Sequence, residues 1–393
     1  MRSEFLHFAP PMIGDEEIDE VVKTLRSGWI TTGQRTRQFE KDFQAYVGAP
    51  AALAVNSATS AMHLALAVLG IGQGDAVVTT TMTFASTVTV IEHQHARPVL
   101  VDVLPDTLNI DPDLVEKAIK SNPKVKAILP VHLYGHPADM DAIYDIASRH
   151  GLPVVEDAAH SVAASYRGRK LGAPVPGFDQ PNLVAFSFYA TKNLTTGEGG
   201  MLTGPPDLID SARVWSLHGM SRDAFKRYTA EGSWRYDVVL PGFKYNMPDI
   251  QAAIGLHQLK RLDQMQARRK TIFAQYDEAL GRLPELETQT TRPEADSACH
   301  IYLLRLRLER LKIRRDTFIE EMRKLNIGAS VHFIPIHMHS YFRNQYRLDP
   351  AQFPVAQREF ERMISLPLSP AHTDQDVADV IDAVTEIVAA NRL

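Results

Sequence analysis

The stretch from Val125 to His160 holds four segments: an apolar run (Val125-Lys126-Ala127-Ile128-Leu129-Pro130-Val131), a helix-length segment (Met140–His150), a second apolar run (Pro153-Val154-Val155), and Glu156-Asp157-Ala158-Ala159-His160. Two strand-type runs joined through a helix read as parallel neighbours, because a parallel crossover needs a dozen or more residues. Runs that are apolar almost throughout belong to a sheet covered on both faces. The alternation continues outward. Further strands are expected at Ala52–Val55, Ala76–Thr80, Val99–Val103 and Leu183–Phe188. Helices are expected at Asp15–Ser27, Thr36–Tyr46, Ser60–Leu69, Ala85–His95 and Asp111–Ser121. The reading is an α/β fold, its large domain a mostly parallel sheet flanked by helices. Such sheets bind ligands beyond the carboxyl ends of their strands, so the chemistry is sought there.

The pattern changes after about Asn246. A long helix is expected from Asp249 to about Ala279, then a proline- and threonine-rich link around Thr288–Pro293. The strand-like His300–Leu308, the helix Arg315–Leu325, a second strand near Ala329–Phe333 and a final helix follow. This predicts a large cofactor-binding domain over residues 1–250 and a smaller C-terminal α+β domain over 251–393. A chain of 393 residues buries a core large enough to need no staples. Its formal charge of −5 gives no electrostatic reason to expect nucleic acid. One cysteine, Cys299, excludes an intramolecular disulfide and any multi-thiolate metal site. Glu4 and two prolines interrupt the N-terminus where a signal peptide would be apolar, and no long apolar run offers a membrane span. The expectation is a cytoplasmic enzyme.

Three features mislead. Gly70-Ile71-Gly72-Gln73-Gly74 follows a helix and precedes a strand, the reverse of a dinucleotide-binding loop, and reads as a helix cap with a turn. The spacing of His332, His337 and His339 matches no common zinc pattern, so they read as strand and loop histidines lining a pocket and no metal is expected. Arg268-Arg269-Lys270 and Lys312–Arg315 read as solvated helix faces.

Four segments fall at or just beyond expected strand ends. Asn56-Ser57-Ala58-Thr59-Ser60 opens a helix, where free N–H groups, the positive dipole end and small hydroxyls suit a phosphate; alone it reads equally as an N-cap. Glu156-Asp157 places two carboxylates at a buried strand end, costly unless a cation meets them. Phe186-Ser187-Phe188-Tyr189-Ala190-Thr191-Lys192-Asn193, followed by Thr196-Gly197-Glu198-Gly199-Gly200, sets a lysine past a core strand beside a glycine-rich loop. Thr83-Phe84-Ala85-Ser86 brings an aromatic ring to the rim. Each has an ordinary structural reading. Together they fit pyridoxal 5′-phosphate, which needs a lysine for its aldehyde, a carboxylate for its pyridine nitrogen, a phosphate cup and a flat ring partner.

These residues resemble the DegT–StrS family of nucleotide-sugar aminotransferases, within the fold-type-I pyridoxal-phosphate enzymes. The likeness runs from Ser27-Gly28-Trp29-Ile30-Thr31-Thr32-Gly33 through Val131-His132-Leu133-Tyr134-Gly135 and the segments above. It continues to Gly242-Phe243-Lys244-Tyr245-Asn246-Met247, Val331-His332-Phe333 and Leu366-Pro367-Leu368. The first and the Gly242–Met247 segments, with His160 after Glu-Asp-Ala-Ala, most resemble the subgroup that aminates UDP-4-keto-pentoses for lipid A modification. The resemblance implies that Lys192 is the catalytic residue, linking to the cofactor as a Schiff base and then shuttling a proton. It implies that Asp157 pairs with the pyridinium nitrogen, that Thr59, Ser60 and Ser187 hold the phosphate, and that Phe84 stacks on the ring. His160, where many members carry Gln, would lie near the cofactor's 3′-oxygen. Asn246 would reach the phosphate in the partner subunit of a homodimer, and Trp29, Thr31 and His332 would face the substrate.

The implied activity moves an amino group from an amino acid, glutamate, to a nucleotide-linked keto-sugar, at C4 of a UDP-sugar. One branch of the family carries histidine in place of the lysine and dehydrates sugars; Lys192 argues against it here. A regulatory protein that binds the cofactor without turnover is the other alternative.

Overall fold

The computed structural model of the chain describes residues 2–221 and 236–393. Helices α1 (Asp15–Arg26) and α2 (Gln34–Val47) lead into β1 (Ala51–Val55), α3 (Ala58–Val68), β2 (Ala76–Thr80), α4 (Ala85–His93), β3 (Arg97–Val101), α5 (Pro112–Ser121), β4 (Val125–Leu129), α6 (Met140–His150) and β5 (Val154–Asp157). A small hairpin, β6 (Ser165–Tyr166) and β7 (Arg169–Lys170), precedes β8 (Asn182–Ser187), β9 (Gly200–Gly204) and α7 (Pro206–Trp215). The seven-stranded sheet has the order β1-β9-β8-β5-β4-β2-β3. Its strands are parallel except β9, which runs antiparallel to both neighbours.

Strand alternation divides the sheet's side chains between two cores. Val78, Ile128, Val154, Val184 and Phe186 pack with Phe43 of α2 and Ile143 of α6. Val77, Leu129, Val155 and Ala185 pack on the other face with Met62 and Leu66 of α3. All six sheet strands expected from the sequence are present, and Met140–His150 forms as read.

The strand of this sheet that was not expected is β9. Gly199-Gly200 read as part of a loop, yet Gly200 starts a fully buried strand. Its glycines, which weaken any strand signal, answer to close approaches. A Cβ on Gly200 would lie 2.5 Å from the carbonyl carbon of Ser57, and one on Gly204 would lie 2.8 Å from Leu183 Cδ2.

Helix α8 (Asp249–Leu280) spans two cores. Ala252, Leu259, Leu262 and Met265 pack with the large sheet, whereas Ile272, Phe273, Tyr276 and Leu280 join the C-terminal core. Asp249, at the start of α8, also caps α2, accepting from the backbone N–H groups of Gly33, Arg35 and Thr36 at 2.7–3.2 Å. The C-terminal elements are β10 (Leu286–Glu287), β11 (Ala295–Asp296), β12 (Tyr302–Leu306), α9 (Arg315–Lys324), α10 (Ser340–Tyr346), α11 (Pro354–Arg362), β13 (Met363–Leu366) and α12 (Asp374–Asn391). Strands β10, β12 and β13 form one antiparallel sheet, and β11 joins the β6–β7 hairpin.

Two expectations are corrected. The strand near Ala329–Phe333 reduces to a single bridge between Ser330 and Ser365 of β13, because the chain then leaves the ladder to place His332 and Phe333 at a cavity. Arg269 is only 3% exposed, not part of a solvated face. Its guanidinium donates to the carbonyl oxygens of His300 and Leu368.

Candidate active site

A cavity of about 460 Å³ opens at the carboxyl edge of the large sheet. Thr59, Phe84, Asp157, His160, Ser187, Lys192 and His332 all line it, so seven residues singled out between positions 59 and 332 meet in one space.

 Residues far apart in the chain are thus brought together by the sheet edge. Lys192 follows β8 in a tight turn, its N–H bonded to the Tyr189 carbonyl at 2.9 Å. The next residue anchors that turn. Asn193 donates to the Ala298 carbonyl at 2.6 Å and to Gln266 Oε1 at 3.1 Å, and its Oδ1 lies 2.9 Å from His300 Nδ1. Burial pushes the Lys192 amine down to about 8, against the opposing attraction of Asp157.

Residues 156 and 157 resolve the paired carboxylates through the strand's period of two. Glu156 turns away from the cavity to a buried cluster, 2.8 Å from His132 Nε2, and accepts from the Tyr144 hydroxyl. The His132 Nδ1 atom accepts the Ala138 N–H at 3.0 Å, so Nε2 carries the proton toward Glu156. Burial acts to raise the Glu156 carboxyl, but the His132 and Tyr144 hydrogen bonds hold it below its ordinary value. Asp157 points the other way and lines the cavity. It accepts from Thr87 Oγ1 at 2.7 Å and from the Ala159 N–H at 3.1 Å. Burial raises its carboxyl above the ordinary value despite these bonds and the charge of Lys192.

The turn after β1 opens α3 toward the same space. Ser57 caps the helix, accepting the Ser60 N–H at 3.1 Å, and Ser57, Ala58 and Thr59 line the cavity. Ser60 does not. Its hydroxyl donates to Asn56 Oδ1 at 2.6 Å, which braces the turn from behind.

Aromatic rings form the opposite wall. Phe333 stacks on His160 with centroids 5.6 Å apart, and sits 5.5 Å from Phe84. His160 Nδ1 accepts the Tyr134 N–H at 3.2 Å, leaving Nε2 as its donor. Burial, and then the charge of Lys192, holds His160 and His300 well below the usual histidine range and His332 at about 4. All three rings are neutral near pH 7.

Asn246, Trp29 and Thr31 stand outside the cavity of their own chain. Asn246 donates to Thr32 Oγ1 at 2.7 Å and accepts from Lys244 Nζ at 2.6 Å. The Trp29 indole donates to the Thr32 carbonyl at 3.2 Å. Of the three clustered histidines only His332 lines the cavity; His337 lies 2.8 Å from Thr81 Oγ1 and stacks on Phe353. Sequence reasoning missed Phe8, His300 and Phe333 as lining residues. The first and second carry no local motif, because distant segments bring them in.

No helix among the described residues is long and apolar enough to cross a membrane. The chain is 49% identical over 389 residues to the spore coat polysaccharide biosynthesis protein SpsC of Bacillus subtilis, covering 98% of each. Its fold matches Spr1654 from Streptococcus pneumoniae in the PMP form, with a TM-score of 0.90 and 34% identity over 98% of this chain and 99% of that one. The sugar aminotransferase CalS13 from Micromonospora echinospora matches with a TM-score of 0.85 and 29% identity, over 97% and 99% of the two chains. The α/β fold expected from the strand and helix pattern is therefore the fold of solved sugar aminotransferases. A model of the DegT/DnrJ/EryC1/StrS aminotransferase family matches residues 11–385, and the chain belongs to that family.

Proposed function

We propose that this enzyme uses pyridoxal 5′-phosphate to transfer an amino group from an amino acid, glutamate, to the keto carbon of a nucleotide-linked keto-sugar, at C4 of a UDP-sugar. One observation carries the reading. A buried lysine with its pKa lowered to about 8 shares a cavity with a buried carboxylate at a neighbouring strand end.

The residues fit the cofactor. Lys192 offers the amine and Asp157 the carboxylate, while the helix start at Ala58–Thr59 with the Thr59 and Ser187 hydroxyls offers a phosphate cup. Gly200 keeps that cup open, since a side chain there would strike Ser57 and Ala58. When bound, pyridoxal phosphate supplies an aldehyde that captures amines and a ring that takes up an electron pair from the adjacent carbon. Lys192 is the group in the cavity able to carry the proton from the donor's Cα and to deliver one to the sugar carbon. Asp157 holds a proton on the pyridine nitrogen. His160 would offer its Nε2–H to the 3′-oxygen, Phe84 would offer a ring face, and neutral His332 would face the sugar. The UDP-sugar and C4 assignments rest on the likeness of Ser27–Gly33 and Gly242–Met247 to the UDP-4-keto-pentose subgroup.

The test is a coupled assay of the loaded enzyme with glutamate against a panel of UDP- and dTDP-linked keto-sugars. Release of 2-oxoglutarate is expected with UDP-4-keto-sugars foremost. Turnover confined to dTDP- or 3-keto substrates would remove the substrate assignment, and none with any keto-sugar would remove the reading.

The active form in this proposal is a homodimer whose two sites each borrow Asn246, and Trp29 and Thr31 reach substrate from the same side. The placement of Asn246 outside its own cavity supports this. Mixing Asn246→Asp, whose charge repels a phosphate, with Lys192→Ala, which cannot bind the cofactor covalently, tests it. A mixed dimer has one doubly damaged and one intact site, so activity returns on subunit exchange. No recovery, with exchange verified and both parents inactive, would place Asn246 in its own subunit's site.

A further inference from the structure

Residues 2–12 run as a strap across the C-terminal elements. Arg2 pairs with Asp376 and Asp379 of α12 at 2.7 and 2.6 Å. Leu6 exchanges backbone hydrogen bonds with Asn326 and Gly328, and a Cβ on Gly328 would lie 2.8 Å from the Leu6 oxygen. Leu368 donates to the Phe8 carbonyl at 3.0 Å, Ser369 to that of Pro10 at 2.7 Å and Gln258 to that of Met12 at 2.8 Å. Within this strap Phe8 alone lines the cavity. Its ring stacks on His332 at 5.1 Å with 26° between planes. His332 is itself held by Ser365 Oγ at 3.0 Å from Nδ1 and by the Tyr134 hydroxyl, which donates to its carbonyl.

We propose that Phe8 is a specificity-determining residue of the amino-acceptor half-reaction, packing against the apolar C–H face of the keto-sugar; this rests on the function proposed above. The chemistry of the wall selects the sugar over the amino acid. His332 and Lys192 line one cavity, and Phe8 reaches it through its stack on His332. In this proposal Phe8 meets the part of the keto-sugar that extends beyond the reacting carbon. A phenyl ring offers nothing to the carboxylates of an amino-acid donor, whereas a sugar ring carries apolar C–H groups that a flat face covers. The strap's hydrogen bonds keep that face in place before substrate arrives, which limits the ordering cost of binding.

The half-reactions are separable in the loaded enzyme by following cofactor absorbance in single turnovers, first with glutamate alone and then with the keto-sugar alone. Phe8→Ala is expected to lower the acceptor second-order rate constant about tenfold or more, as loss of apolar contact does in specificity pockets. Its donor half-reaction should stay within about twofold of wild type. Phe8→Leu should fall between, and Phe8→Tyr, which keeps the ring, should stay near wild type. An unchanged acceptor half in Phe8→Ala and Phe8→Leu, or an equal slowing of both halves, overturns the proposal. A wild-type enzyme that completes the donor half yet accepts no keto-sugar removes the function reading instead, and this proposal with it.

Discussion

Borohydride reduction of the loaded enzyme should leave a pyridoxyl group on the peptide that contains Lys192, and Lys192→Ala should abolish both the label and transamination. The proton transfer alone is worth on the order of 10²–10⁴ in rate. The covalent link adds to that loss. The cavity explains why this lysine reacts. With its amine at about 8, roughly one molecule in ten is unprotonated at pH 7, against about one in 2,500 for an ordinary lysine. Burial disfavours the ammonium, so raising the pH frees the amine earlier than at an exposed site. Capture of added pyridoxal phosphate by cofactor-free enzyme should therefore accelerate through pH 8 and level off above about 9. A rate that climbs on past pH 10, or a label on another lysine, would place the chemistry elsewhere.

The parallel sheet was legible because its strands are apolar on both faces and its helices fill the crossovers. Strand β9 was not, since the glycines that let it approach Ser57 and Leu183 also erase its strand signal. The motif-bearing side of the site was equally legible. Asp157 and Ser187 end strands, Thr59 and Lys192 come just after them, and strand ends converge by topology. The far wall resisted reading. Phe8 and His300 arrive from the strap and the C-terminal elements with no local motif, and only tertiary packing relates them to Lys192, whereas Phe333 stands beside the motif residue His332. Arg269 misled for a related reason: mid-helix charge usually faces water, but here two carbonyls receive it between the cores. Ser60 shows the limit of reading a motif residue by type. Its neighbour Thr59 faces the cavity, while its own hydroxyl serves Asn56.

Asp157→Asn is expected to keep the cofactor linked to Lys192 yet slow transamination by about 10²–10³ or more, the scale of losing one preorganised polar group in a dry site. Asparagine has the same shape and can still accept the Ala159 N–H through its oxygen. Its amide nitrogen cannot accept the Thr87 hydroxyl, which has Thr83 Oγ1 at 2.7 Å as another partner. What disappears is the negative charge that would keep a proton on the pyridine nitrogen. Stability separates this role from that of a structural turn residue. Burial raises the Asp157 carboxyl above its unfolded value, so the folded state holds its proton more tightly than the unfolded state does. Stability from this group is then present below the unfolded pKa and is lost as pH rises through the folded one. Near pH 7 the buried charge opposes folding, and asparagine removes it. The cofactor-free Asp157→Asn protein should accordingly melt no lower than wild type at pH 7–8, with its relative gain shrinking as the pH falls toward the carboxylate range. Thermal melts across that range, set beside single-turnover rates of the loaded mutant, decide the matter. A mutant that melts several degrees lower but turns over near the wild-type rate would make Asp157 a brace for the Ala159 turn and leave the pyridine nitrogen without its partner.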